Sequence, residues 1–195
     1  TITSFSNYAF QNTKIKTIQF AADSKLEMIN KFAFWKSSIE YFTIPHHLTT
    51  ICESSFARCQ QLSTIEIPPD SELKTIKKLA FWNSSIESLS ISSKLVNLEE
   101  DWCSGANNLN KINVNPNNPR YKSYDENKFI IGKKSIESEN YNSLVFCIRN
   151  IEKATIPNFI KEIQPHSFDG CINLQTIEIS ANSQLETIDK EAFYD

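Results

Sequence analysis

The chain has 195 residues, a net charge of −3, a pI near 5.7, and 40% hydrophobic against 22% charged residues. That balance offers no basic surface for a nucleic-acid backbone, and no run of about 18 apolar residues is present to span a bilayer. With three glycines, the turns fall to Asn, Asp, Ser and Pro, and a glycine-rich phosphate cradle is excluded.

Thr1 to Phe10 is polar and lacks a basic stretch followed by an apolar one, so it does not read as a signal peptide. From Ile15 onward an apolar phrase recurs. It runs Ile15, Ile18, Phe20, Leu26, Ile29, Phe34, and then Ile39, Phe42, Ile44, Leu48, Ile51, Phe56. The third copy is Leu62, Ile65, Ile67, Leu73, Ile76, Phe81, and the fourth is Ile86, Leu89, Ile91, Leu95, Leu98, with Cys103 in the Phe slot. A fifth begins at Leu109, Ile112 and Val114. Successive starts lie 24, 23, 24 and 23 residues apart. A period in the low twenties predicts a solenoid, in which each unit buries its apolar face against its neighbours.

Within one unit, Thr64-Ile65-Glu66-Ile67 alternates as a half-buried strand does. Pro45, Pro68-Pro69, Pro157 and Asn182 end such strands and start a turn. The second apolar pair, such as Leu73 and Ile76, returns the chain along the opposite wall. The pairs Ala33-Phe34, Ser55-Phe56, Ala80-Phe81, Ser167-Phe168 and Ala192-Phe193 are expected to close each unit on a short helical turn, with the Phe rings stacked as a spine. The predicted class is therefore strand-rich α/β: one parallel sheet on one face, with short helical closures.

After Val114 the rhythm breaks, and the next start, Ile151, comes 42 residues after Leu109. Asn115-Pro-Asn-Asn-Pro119 signals a turn. Phe129-Ile130-Ile131 and Leu144-Val145-Phe146 read as two strands of a hairpin-like excursion over about 115–148. Two readings stand for it: a projecting partner-contact device, or an atypical repeat that merely packs. The grammar resumes at Ile151, Ala154, Ile156, Ile160, Ile163, Phe168 and at Leu174, Ile177, Ile179, Leu185, Ile188, Phe193. One array over 1–195, cut from a longer one, is the expected organisation.

Catalytic and metal signals are missing from the pattern. There is no P-loop and no nucleophile elbow. His46-His47 sits on a turn without a partner at metal-ligand spacing, and His166 is isolated. The five cysteines, Cys52, Cys59, Cys103, Cys147 and Cys171, are odd in number and fall in apolar slots, so reduced core thiols are expected. Trp35 and Trp82 occupy equivalent slots, each read as packing over a turn or as half of an aromatic contact pair. Asn83-Ser84-Ser85 is the one glycosylation sequon. No cofactor, no metal and no enzymatic activity is expected.

The phrase from Leu62 to Phe81, and the run Ile156-Pro157, Ile160, Ile163, Phe168, Cys171, Leu174, resembles the leucine-rich repeats of BspA-like proteins. The interruption is similar too, with Asn118, Tyr121, Ser123, Asp125 and Phe129, then Leu144-Val145-Phe146, then Ile156-Pro157. It departs at Glu126-Asn127, where the family often has Asp-Gly. The resemblance implies a leucine-rich-repeat surface antigen of anaerobic bacteria or parasitic protists, with adhesion to host cells or matrix and no catalytic residues to carry over. It implies a cell-surface or secreted location and a protein or glycan partner, with no membrane insertion by this segment. An intracellular interaction scaffold or a purely structural array is the alternative.

In a half-buried strand the residues between apolar positions face solvent, and extended repeat surfaces are where such proteins make contact. Candidate partner-binding residues are therefore Tyr41, Thr43, Thr64, Glu66, Ser88, Ser90, Lys111, Asn113, Lys153 and Thr155, with Tyr121 and Tyr124 on the excursion. The competing reading is that Ser and Thr are simply good exposed strand residues.

Overall fold

The computed structural model describes residues 1–194. Each regular unit bears two strands where one was expected. The alternating segments form β3 (Tyr41–Thr43), β5 (Thr64–Glu66), β7 (Ser88–Ile91) and β9 (Lys111–Val114), a parallel sheet in that order. The return segments form a second parallel sheet on the opposite wall: β1 (Ser4–Phe5), β2 (Met28–Ile29), β4 (Thr50–Ile51), β6 (Thr75–Ile76) and β8 (Asn97–Leu98). Equivalent apolar slots stack in register, Phe42 on Ile65 on Leu89 on Ile112, and Ile29 on Ile51 on Ile76 on Leu98. A one-residue slip would turn every one of these side chains outward, so the burial pattern fixes the register. The first copy, Ile15 to Phe20, keeps the apolar spacing without forming a strand, though Glu40 N–H still donates to Lys16 O at 2.8 Å.

The expected helical closures are not helical, and no helix occurs among the described residues. In each closure two residues, two before and two after the Phe, take left-handed backbone: Phe32 and Lys36 around Phe34, Ser54 and Arg58 around Phe56, Leu79 and Asn83 around Phe81. Alternate N–H groups then point in different directions. Ala33 and Trp35 donate within the unit to Asn30 O and Phe32 O, whereas Phe32, Phe34 and Lys36 donate to Glu53 O, Ser55 O and Ala57 O of the next unit, at 3.2, 2.7 and 3.0 Å. An α-helix would keep all these bonds inside the segment. Here half of them cross between units, so the closures are a third hydrogen-bonded wall. Inside it the rings stack as expected, Phe10 on Phe34 at 4.8 Å and Phe34 on Phe56 at 4.9 Å. In the fourth unit Trp102, not the Cys103 slot, carries the spine on toward Phe146, at 5.9 Å.

The two expected strands of the excursion do pair antiparallel, as in a hairpin, but they are buried and do not project. Its strands β10 (Tyr121–Tyr124), β11 (Phe129–Gly132) and β12 (Ser143–Cys147) make an antiparallel meander. β12 then pairs in parallel with β14 (Glu162–Ile163), which pairs with β16 (Thr187–Ile188). β11 and β12 are buried along their whole length. Their side chains feed two cores: Ile130, Val145 and Phe146 enter the core of the earlier units, and Phe129, Ile131, Leu144 and Cys147 that of the later ones. A strand apolar on both faces is what a partition between two cores requires. β13 (Lys153–Ile156) pairs only with β15 (Thr176–Ile179), so the first sheet stops at β9 and restarts beyond the partition.

Candidate partner-binding surface

The outward positions of the first sheet form rows because parallel pairing puts equal slots side by side. One row is Tyr41, Thr64, Ser88, Lys111; beside it Thr43 pairs with Glu66, and Ser90 with Asn113. Tyr41 is 40% exposed, and its hydroxyl donates to the Glu66 carboxylate, which also accepts from Thr43 Oγ1 at 3.1 Å. The Glu66 bond holds the Tyr41 phenol above its ordinary range, keeping it a neutral donor. Lys16 and Glu40 pair at 2.8 Å at one margin. The surface is thus polar, carries both signs of charge, and sits on a backbone pinned by two neighbouring strands.

Lys153 and Thr155 do not join these rows. They lie on β13 beyond the partition, where both reach Glu178, at 2.8 and 3.2 Å. The Lys153 ammonium holds the Glu178 carboxyl below the usual carboxylate range. Tyr124, 37% exposed, ends β10 and packs edge-on to Phe159 at 5.4 Å. Tyr121 is a correction: it is 2% exposed, and its phenol oxygen accepts from Leu98 N–H at 3.0 Å. In the register of β10 it faces the earlier core, so it supports β8 and cannot touch a partner.

Trp35 and Trp82 are half-buried and each lies under a cation, Lys36 at 4.4 Å and Arg58 at 4.7 Å, so packing over the closure is the arrangement adopted. His46 lies 3.2 Å from Asp70 on its turn. No group of three or more His, Cys, Asp or Glu among the described residues is arranged to hold a metal ion. The five cysteines are buried and unbonded.

Sequence reasoning missed the polar seam at the break. Between the second wall's last regular strand, β8, and β14 lies a cavity of about 660 Å³, lined by Asp101, Trp102, Arg120, Glu162, Gln164 and His166 among others. His166 Nε2 lies 3.0 Å from Asp101 and 2.9 Å from Glu191, bridging three units. The inter-unit backbone bonds of the closures are replaced here by side chains. Asp169 accepts from Gly105 N–H at 2.9 Å, and Arg149, 1% exposed, donates to Ser167 O at 3.0 Å. Nothing in the run Cys147-Ile-Arg149-Asn distinguishes that arginine from a surface one; only its place behind the partition does.

Stacked units with two parallel strand walls, a Phe spine and one meander interruption make the chain a strand-rich β-solenoid. The profile of the BspA-type leucine-rich-repeat region matches residues 27–143 and 134–195, in six copies, and the chain belongs to that family. No curated relative matches it. Among solved structures it is similar to the pneumococcal vaccine antigen PcpA, at 25% identity and a TM-score of 0.84, over 96% of this chain and 48% of that one. A leucine-rich cell-surface protein of Faecalibacterium prausnitzii shares the fold at 20% identity and a TM-score of 0.71, over 91% and 52% of the two chains. A leucine-rich-repeat protein of Eubacterium ventriosum does so at 19% and 0.67, over 87% and 51%. The chain therefore spans about half the length of these proteins. Family and fold are those of repeat proteins, and no catalytic family is indicated. No helix among the described residues is long and apolar enough to cross a membrane.

Proposed function

We propose that this chain is a non-enzymatic, ligand-binding segment of a cell-surface adhesion protein, contacting a host or matrix macromolecule through the outward face of β3, β5, β7 and β9. The observation that carries this is the row Tyr41, Thr64, Ser88, Lys111, flanked by Thr43, Glu66, Ser90 and Asn113, held in register on a rigid sheet. Such a face loses little conformational entropy on binding. Its hydroxyls, amide and paired charges suit a polar protein or glycan. The surface location is supported by two similar proteins, one described as a vaccine antigen and one as a cell-surface protein. Lys153 and Thr155 form a second, smaller patch, and of the two excursion tyrosines Tyr124 remains available for contact.

Magnitude limits what this face achieves alone. Four strands at ~4.8 Å spacing, each presenting about 13 Å of length, give on the order of 200 Å². A stable interface needs about 800 Å² per partner. Adhesion by this face is therefore weak per site and gains strength by repetition along a longer array or on a crowded surface.

Antibody labelling of intact, unpermeabilised cells carrying the full-length protein tests the location: surface staining is expected, and confinement to the cytosol overturns the adhesion reading. Capture of matrix glycoproteins by the isolated segment tests the binding. A pull-down with residues 120–147 deleted would be uninformative, since β11 and β12 belong to both cores.

A further inference from the structure

Three thiols converge on the buried Arg149. Cys147 ends β12, and Cys171 follows the closure of the next unit, the two segments being joined by Cys147 N–H donating to Ser167 O at 2.8 Å. Both sulfurs lie against one acceptor, Ile148 O, at 3.4 and 3.6 Å, which brings the two thiols together. Arg149 Nη1 stands 4.0 Å from Cys171 Sγ and Nη2 stands 3.6 Å from Cys103 Sγ, so the guanidinium lies between those two sulfurs and keeps Cys103 out of the pair. Arg149 Nε has no partner.

The hydrogen bond from Cys147 and the charge of Arg149 hold the Cys171 thiol below its ordinary range. Burial pushes Cys147 up. Cys171, with the Arg149 guanidinium 4.0 Å from its sulfur, is the thiol placed to react as the thiolate. Cys171 is 6% exposed and Cys147 0%, so Cys171 is the thiol that an oxidant meets first. Cys52 and Cys59 stand apart from this group: Cys59 donates to Phe34 O at 3.0 Å in the earlier core.

We propose that Cys147 and Cys171 form a disulfide that covalently pins the partition strand β12 to the unit that follows it. The oxidant is a small-molecule disulfide of the glutathione class. The Cys171 thiolate attacks one oxidant sulfur, the oxidant S–S bond breaks, and one glutathione thiolate leaves and takes up a proton from solvent. Cys147 then gives its proton to solvent, and its thiolate attacks Cys171 Sγ, expelling the second glutathione thiolate. Two electrons pass from the cysteine pair to the oxidant, whose two halves depart as thiols.

The test is incubation of the reduced protein with oxidised glutathione, acid quench, alkylation after unfolding, and peptide mapping by mass spectrometry. The expected result is an intact mass lower by two hydrogen atoms before alkylation, a linked Cys147–Cys171 peptide, and alkyl groups on Cys52, Cys59 and Cys103. Cys103→Ser should keep the link. Cys147→Ser, if it folds by circular dichroism, should stop at glutathione on Cys171. Arg149→Lys, which keeps the charge, should form the link at a slower rate. A link between any other pair, or five alkylated cysteines in the folded wild type after prolonged oxidation, would overturn the proposal, and neither result depends on a variant folding.

Discussion

At the level of single residues, side-chain burial separates neighbours that look alike in sequence. Ile65 is buried under the Phe spine while Glu66 beside it reaches solvent. Ile65→Asp should therefore lose several kcal/mol and unfold the adjacent units, because an unpaired charge cannot be left in the core. Glu66→Ala should change stability by no more than about 0.5 kcal/mol, since its bonds to Tyr41 and Thr43 are exposed. Urea denaturation of both variants checks this, and equal effects would refute the register. Arg149 presents the opposite case, a charge that is buried and hydrogen-bonded. Arg149→Ala should cost about 3–5 kcal/mol, through the cavity it opens and the lost bond to Ser167 O. Arg58→Ala, half-exposed over Trp82, should cost about 1 kcal/mol or less. The same denaturation series measures both.

At the level of elements, the meander and the closures behave differently from what their sequences led one to expect. The turn between β10 and β11 holds Asp125, Glu126 and Asn127 all in left-handed backbone, with φ of 50°, 53° and 67°. A non-glycine residue pays roughly 1–2 kcal/mol there, partly offset because glycine is more flexible when unfolded. Glu126→Gly should thus raise stability by roughly 0.5–1 kcal/mol, read as a higher melting temperature. Glu126 is one of the two residues, Glu126-Asn127, that stand where the family often has Asp-Gly. Removing 120–147 should abolish cooperative folding rather than trim a loop, because it takes away the wall shared by the two cores. A deletion variant with an unchanged melting transition would contradict the partition.

The apolar period made the stacking and the Phe spine legible, down to which residues face inward, because burial on one face fixes a period-2 strand. The closures were not legible. Glycine marks only two of their left-handed positions, Gly105 and Gly170; others are filled by Phe32, Lys36, Leu79 and Arg58, and what holds these is hydrogen bonding to the next unit, a tertiary effect. The two-residue strands of the second wall are too short to carry a local pattern. The outward positions of β3, β5, β7 and β9 were legible from alternation alone; that Lys153 and Thr155 lie in a separate sheet was not, nor was the inward turn of Tyr121 against β8, of which its neighbours Lys122 and Ser123 gave no sign.

For the whole molecule, two cores are separated by a partition and stitched together by Arg149, Asp169 and His166. If each face is weak, two copies of the segment joined by a flexible linker should hold an immobilised partner about 10²-fold or more tighter than one copy. An unchanged affinity in the tandem form would show that the partner is engaged elsewhere. The most direct measurement compares two wall variants for capture of a panel of immobilised matrix glycoproteins. One carries Tyr41→Ala, Thr64→Ala, Ser88→Ala and Lys111→Ala on the first sheet; the other carries Thr50→Ala, Thr75→Ala and Asn97→Ala on the opposite wall. With both variants folded, the first should lose binding by roughly tenfold or more and the second should keep it. Equal binding by the two, or loss confined to the second, would contradict the assignment of the β3–β9 face as the contact surface.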